Sequence, residues 1–233
     1  MISFIDYRST EEEKKSLLKL GVEILQIPKC TSVYEAINGH VDIQLNILNE
    51  KEKIVIINKD IHKEFKELLN NHNIRYIESS ASLKNEYPGN VLLNAAILDD
   101  YIIHNFKFTD ENILKNIDSK KLINVKQGYA KCSILPVRGK AVITNDKGIS
   151  NSLLKEDFDV LLLPPGDIIL PGFNYGFIGG IGGKITPDIL AFHGDLDCYI
   201  YGDQVKQFLK KYDVKPIYLK KGKLFDRGSI FTI

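Results

Sequence analysis

Short apolar runs alternate with charged, amphipathic stretches along almost the whole chain, and the alternation recurs in one order. Five runs read as strands that follow a helix: Val22-Glu-Ile-Leu-Gln-Ile27, Ile74-Arg-Tyr-Ile77, Lys121-Leu-Ile-Asn-Val125, Asp159-Val-Leu-Leu-Leu163 and Val214-Lys-Pro-Ile-Tyr-Leu219. The segment before each carries Leu or Phe at three- and four-residue spacing. Glu64-Phe-Lys-Glu-Leu-Leu69 and Gln204-Val-Lys-Gln-Phe-Leu209 show it best, and such spacing puts one apolar face on a helix. Ahead of each helix lies a β-rich run ending in turn residues: Ser3–Asp6, Ile54–Ile57, Tyr101–His104, Ala141–Thr144 and Ile189–Phe192. Ahead of those lies a third kind of run, read as a strand opening on glycine, at Gly39, Gly89, Gly128, Gly176 and Gly228. The last of these has nothing after it but the chain end, and its missing elements stand at the N-terminus.

This order predicts an α/β fold, a five-fold pseudosymmetric α/β-propeller of ββαβ units closed by pairing of the N- and C-terminal segments. Closure removes exposed strand edges and apolar faces. The expected single domain spans residues 1–233, in units of approximately 228–233 plus 1–38, 39–88, 89–127, 128–175 and 176–227. A doubly wound sheet is the rival fold. Composition suits a soluble globule of 233 residues, with 44% hydrophobic and 26% charged residues. A formal net charge of +1 argues against a whole-chain nucleic-acid binder. One stretch is locally basic: Val205 to Arg227 holds seven Lys and one Arg against Asp213 and Asp226. It reads as a solvated helix face plus loop, or as a surface for a polyanion. Three cysteines, Cys30, Cys132 and Cys198, without Cys-x-x-Cys spacing, speak against a disulfide framework or a zinc site. With no signal-peptide pattern and no long apolar run, the expectation is a cytoplasmic protein with no membrane partner, and the Ile, Lys and Asn content hints at a bacterial source.

Five such units around an axis resemble the pentein fold, which holds the guanidino-group-modifying enzymes and a non-catalytic branch of ribosome anti-association factors. Gly39-His40-Val41-Asp42 looks like the Gly-His-Val-Asp segment of agmatine deiminases, and Gly128-Tyr-Ala-Lys-Cys132 looks like the segment carrying the nucleophilic Cys there and in dimethylarginine dimethylaminohydrolases. As in that superfamily, His and Cys stand two units apart, although the chain order looks circularly permuted. The resemblance implies a cysteine-dependent hydrolase or transferase acting on an amidine or guanidino-type small molecule. Cys132 would be nucleophile and His40 general acid/base, with Asp42 orienting His40 or holding the cation, and neither metal nor organic cofactor is needed. Substrate contacts are expected from Asp226, Gly179, Gly180 and Asn90. Two departures stand out: Gly180 replaces an expected Asp, and Ser229 replaces an acid beside Asp226. These favour the alternative, a non-catalytic binding protein with a polyanionic or ribosomal partner.

Read from the residues alone, each candidate also has a plain role. Cys132 fits a small buried apolar side chain, His40 a satisfied strand-end histidine, Asp42 a turn cap, and Asp226 beside Arg227 a surface pair. In a flat strand, His40 one residue after its glycine and Cys132 four after its own would face opposite sides, so a bulge is required to aim both inward. Five glycines between Gly176 and Gly183 read either as strand crowding near the ring axis or as a ligand-facing wall of amides. His193-Gly194-Asp195 reads as turn chemistry after an outer strand.

Overall fold

The structure, a computed structural model, describes residues 1–117 and 120–233. The chain opens with β1 (Ile2–Asp6), α1 (Glu11–Lys19) and β2 (Glu23–Ile27). A single turn, α2 (Val41–Gln44), leads into β3 (Leu45–Asn49), β4 (Ile54–Ile57), α3 (Lys63–Asn71) and β5 (Arg75–Glu78). Then come β6 (Ala96–Ile97), β7 (Tyr101–His104), α4 (Glu111–Lys115) and β8 (Lys121–Asn124). Another single turn, α5 (Ala130–Ser133), precedes β9 (Ile134–Arg138), β10 (Ala141–Thr144), α6 (Lys147–Leu154) and β11 (Asp159–Leu162). The series ends with β12 (Gly182–Thr186), β13 (Ile189–Phe192), α7 (Gly202–Lys211), β14 (Lys215–Tyr218) and β15 (Phe231–Thr232).

These strands form five three-stranded sheets: β15-β1-β2, β3-β4-β5, β6-β7-β8, β9-β10-β11 and β12-β13-β14. In each, the middle strand runs antiparallel to the first and parallel to the third, and a helix makes the parallel crossover. The first sheet joins the two ends of the chain. Ser3 faces Thr232 and Phe4 faces Phe231, while Ile2 and Ile233 exchange backbone hydrogen bonds of 2.8 and 2.9 Å.

Middle strands are apolar because both of their faces are covered. Phe4, Ile56, Ile103, Ile143 and Phe192 are fully buried, each worth roughly 1.5–3 kcal/mol of burial. The helices turn their apolar stripes onto the sheets, as with Phe65 and Leu69 of α3 and Val205 and Leu209 of α7. Side chains of Thr10, Asp110 and Asp146 cap the first turns of α1, α4 and α6. The turn from helix to third strand repeats a left-handed residue at Gly21, Asn73, Asp157 and Asp213.

Two expectations change. The glycine-led segments do not begin as strands. Gly39, Gly128 and Gly176 open short helical turns that end at or near Leu45, Ile134 and Gly182, where the strands start. Four or five residues are too few for period alone to separate a helical turn from an extended run. The outer placement of His193 also fails: it follows β13, a middle strand, and is fully buried. Its Nδ1 lies 2.9 Å from Glu13 Oε1 on α1.

Burial opposes ionisation of Glu13, but His193 and Thr10 overcome it and hold the carboxyl at about 2 against an ordinary 4.5. A carboxyl lowered in the folded state contributes stability above its unfolded value and loses it as pH falls. Unfolding free energy should therefore drop by about 3 kcal/mol between those two values, by urea titration, with a flatter profile for Glu13→Gln. A wild-type profile as flat as the variant's would refute this role.

Candidate active site

His40, Cys132 and Asp226 open into one cavity of about 300 Å³, the small end of the ligand-pocket range. They come from three separate stretches. His40 caps α2, Cys132 sits on α5, and Asp226 lies on the segment leading to β15. Because His40 and Cys132 stand on helical turns, the parity conflict of a flat strand does not arise and no bulge is needed.

Close backbone approaches fix the geometry. Gly228 has φ +68°, and a Cβ there would lie 2.2 Å from His40 Cβ. A Cβ on Gly39 would meet Asp6 Oδ1 at 2.3 Å. Asp6 in turn binds Arg8, whose guanidinium donates to the carbonyls of Glu35 and Ala36 and braces the turn before His40.

The His40 ring is buried, with Nδ1 3.9 Å from Asp226 Oδ1 and neither nitrogen hydrogen-bonded among the described residues. Asp226 accepts from the backbone N–H of Phe177 at 2.8 Å and of Gly228 at 3.0 Å. Burial nevertheless pushes its carboxyl above the ordinary range; His40 and those amides oppose the shift and Asp42 adds to it. Burial also pushes the Cys132 thiol well above its usual value, and the carboxylates of Asp42 and Asp226 push the same way.

Asp42 lies behind the cavity. Its Oδ2 accepts from Ser229 Oγ at 2.7 Å, and its Oδ1 has no partner among the described residues. Two further groups pack around these residues without lining the cavity themselves. Asn94 Nδ2 donates to Cys132 Sγ at 3.1 Å and to the Asp42 carbonyl at 2.8 Å, while its Oδ1 accepts the Cys132 N–H at 3.1 Å. Lys131 is buried and donates to Ser229 Oγ at 2.7 Å and to the Gly179 carbonyl at 3.3 Å. Burial pulls its ammonium below the ordinary lysine range, against the attraction of Asp42, Cys132 and Asp226.

Of the substrate-contact candidates, Asp226 lines the cavity, while Asn90, Gly179 and Gly180 do not. The Asn90 side chain donates to the Asn85 carbonyl, away from the thiol. Gly179 and Gly180 serve packing: Cβ atoms there would fall 2.2 Å from the Lys131 carbonyl oxygen and 1.8 Å from Asp226 Oδ1. Sequence reasoning missed Asn94 and Lys131, though a signal exists. Counted back from the start of each strand, Lys131 is third, like Asp42 and Gly179; Asn94 is second, like Cys132, Gly180 and Ser229.

The cavity wall was not legible either. Tyr34, Tyr129, Phe173 and Phe177 face it together with Ile37 and Leu170. Tyr34 and Tyr129 share a 3.1 Å hydrogen bond between hydroxyls, and the Tyr129 and Phe177 rings stack at 6.0 Å. Among the described residues, no cluster of three or more His, Cys, Asp or Glu side chains forms a metal-binding group, and no helix is long and apolar enough to cross a membrane. Three of the seven lysines of the basic stretch are paired: Lys206 with Asp197 and Asp203, Lys211 with Asp159, and Lys223 with Asp167.

Five three-stranded ββαβ units in a closed ring define the pentein fold, the class of the guanidino-group-modifying enzymes. The chain belongs to the Family of unknown function (DUF6873), whose model matches residues 4–231. No curated protein matches the sequence. Among solved structures, the inosamine-phosphate amidinotransferase StrB1 from Streptomyces griseus is similar over 95% of this chain and 79% of its own, with a TM-score of 0.57 and 14% identity. The amidinotransferase SxtG from Microseira wollei is similar over 89% of this chain and 73% of its own, at a TM-score of 0.54 and 9% identity. DDAH from Pseudomonas aeruginosa, in complex with citrulline, is similar over 93% and 90%, at 0.51 and 10%.

Proposed function

We propose that this protein is an amidino-group hydrolase or transferase with Cys132 as nucleophile and His40 as general acid and base, in one domain spanning residues 1–233. The observation that carries the reading is the convergence of an unpartnered imidazole, a thiol and a buried carboxylate on one cavity. The kinship of fold with amidinotransferases and DDAH supports it.

Burial, and after it the carboxylates of Asp42 and Asp226, disfavour the Cys132 thiolate. A cationic amidine beside Asp226 and Asp42 reverses that balance, since it offsets their charge next to sulfur. His40 takes the thiol proton as sulfur attacks the central amidine carbon. The C–N bond breaks, and His40 delivers that proton to the leaving amine. Water, or an acceptor amine, then attacks the S-amidino intermediate and gives its proton to His40. The C–S bond breaks and the proton returns to sulfur. Lys131 stands behind Asp42, joined to it through the Ser229 hydroxyl. The alternative of a polyanion-binding protein draws less support, because it leaves the convergence of imidazole, thiol and carboxylate on one cavity unused, and three of the seven lysines of the basic stretch are engaged with neighbouring acids.

Alkylation tests the reading. Chloroacetamidine is a cation, and chloroacetamide is its neutral isostere. Cys132 should react at least about 100-fold faster with the amidine, as read by peptide mass spectrometry, matching about 3 kcal/mol for a charge-assisted contact. With the neutral reagent, exposed Cys198 should react before the two buried thiols, Cys30 and Cys132. Equal rates of the two reagents at Cys132 would remove the proposal.

A further inference from the structure

Resting on that reading, we infer that the substrate is a monocationic amidine or guanidine carried on an apolar body, with no carboxylate or phosphate of its own. The cavity divides into two regions. Its floor holds His40, Cys132 and Asp226, with Asp42 behind them, and supplies the counter-charge for one planar cation. Apart from Asn174, the rest of its wall is aromatic and aliphatic. Tyr34 and Phe173 approach at 5.6 Å between ring centres on one side, and Tyr129 and Phe177 stack on another.

Ring faces are attractive to cations and to flat apolar groups, and offer nothing to an anion. The hydroxyls of Tyr34 and Tyr129 bond to each other, so these two residues offer the cavity chiefly their rings. Among the described residues lining the cavity there is no Lys or Arg. The nearby lysine, Lys131, directs its ammonium to Ser229 and the Gly179 carbonyl. An acidic group on the ligand would lose its water against aromatic carbon, near two protein carboxylates and without a cation to receive it. An alkyl or aryl body loses nothing there and gains burial.

Binding to the Cys132→Ser protein by isothermal titration calorimetry tests this with a matched pair. Benzamidine should bind at least tenfold more tightly than 4-amidinobenzoate, which differs only by its carboxylate. Phe173→Ala on the same background should weaken benzamidine at least fivefold. Equal or tighter binding of 4-amidinobenzoate overturns the inference, as does a Phe173→Ala protein that binds benzamidine unchanged. If neither compound binds while chloroacetamidine still modifies Cys132 in the unaltered protein, the inference fails and the amidine chemistry stands. If chloroacetamidine does not select Cys132, both fail.

Discussion

Asp226→Asn should slow the modification of Cys132 by chloroacetamidine by about 100-fold, the loss expected when a cation loses its charged partner on the cavity surface. The substitution barely changes volume, and the cavity keeps its shape. It carries a second signature that a merely structural residue would lack. Asp226 has a folded-state value raised above its ordinary 3.8, so the folded protein holds that proton more strongly than the unfolded chain. Stability must then decline as pH rises from the ordinary value toward the raised one. Asparagine has no such loss. It forfeits one of the two amide hydrogen bonds, from Phe177 or Gly228, which costs about 1–3 kcal/mol at every pH. The stability gap between wild type and variant should therefore narrow between pH 4 and pH 8, by urea unfolding at the two ends. A gap that stays constant would mean the carboxylate is not held against its ionisation. Unchanged labelling would mean it does not receive the cation.

Lys131→Met should destabilise the fold by about 3–5 kcal/mol at neutral pH, the magnitude for stripping the partner from a buried charge. Methionine fills similar space, so the loss is electrostatic. It leaves Asp42 and Asp226 buried together with no resident cation, and it removes the donor to Ser229 that continues to Asp42. Burial also disfavours the lysine's own charge, and a desolvation-dominated lysine would make methionine neutral or stabilising. The double substitution Lys131→Met/Asp42→Asn separates the cases. If the ammonium compensates the carboxylate, the double variant recovers a large part of the stability lost in the single. If Lys131→Met alone is as stable as wild type, the compensating role is wrong.

Much of the architecture was legible because each middle strand is a short, mostly apolar run bounded by turn residues. Ile54–Ile57, Tyr101–His104, Ala141–Thr144 and Ile189–Phe192 coincide with observed strands to the residue. Pairing of the chain ends was legible from a unit split between them. The segments just before each first strand were not, because glycine there marks a backbone approach and a helical turn, which a run of four residues does not distinguish from extended chain. That misreading put Asn90 in place of Asn94 and hid Lys131, whose kinship with Asp42 shows only when positions are aligned on the strand starts. His40, Cys132 and Asp226 were within reach because the segments Gly39-His40-Val41-Asp42, Gly128-Tyr-Ala-Lys-Cys132 and Asp226-Arg-Gly228 resemble those of guanidino-group-modifying enzymes. The aromatic wall was out of reach: Tyr34, Tyr129 and Phe173 stand on connections of unrelated length, and no local pattern links them.

The contact between Ser229 and Asp42 spans 187 positions, and Lys131 reaches the same hydroxyl across 98. During synthesis, then, the thiol leaves the ribosome long before the stretch that will wall it in. Until residues near 229 have emerged, Lys131 and Asp42 share no bridge, and Asp226 has no Gly228 amide to hold it. A growing chain therefore carries the Cys132 thiol and the His40 imidazole before Asp226 and Ser229 can join them, and the cluster is completed late, in the same event that seals the circle.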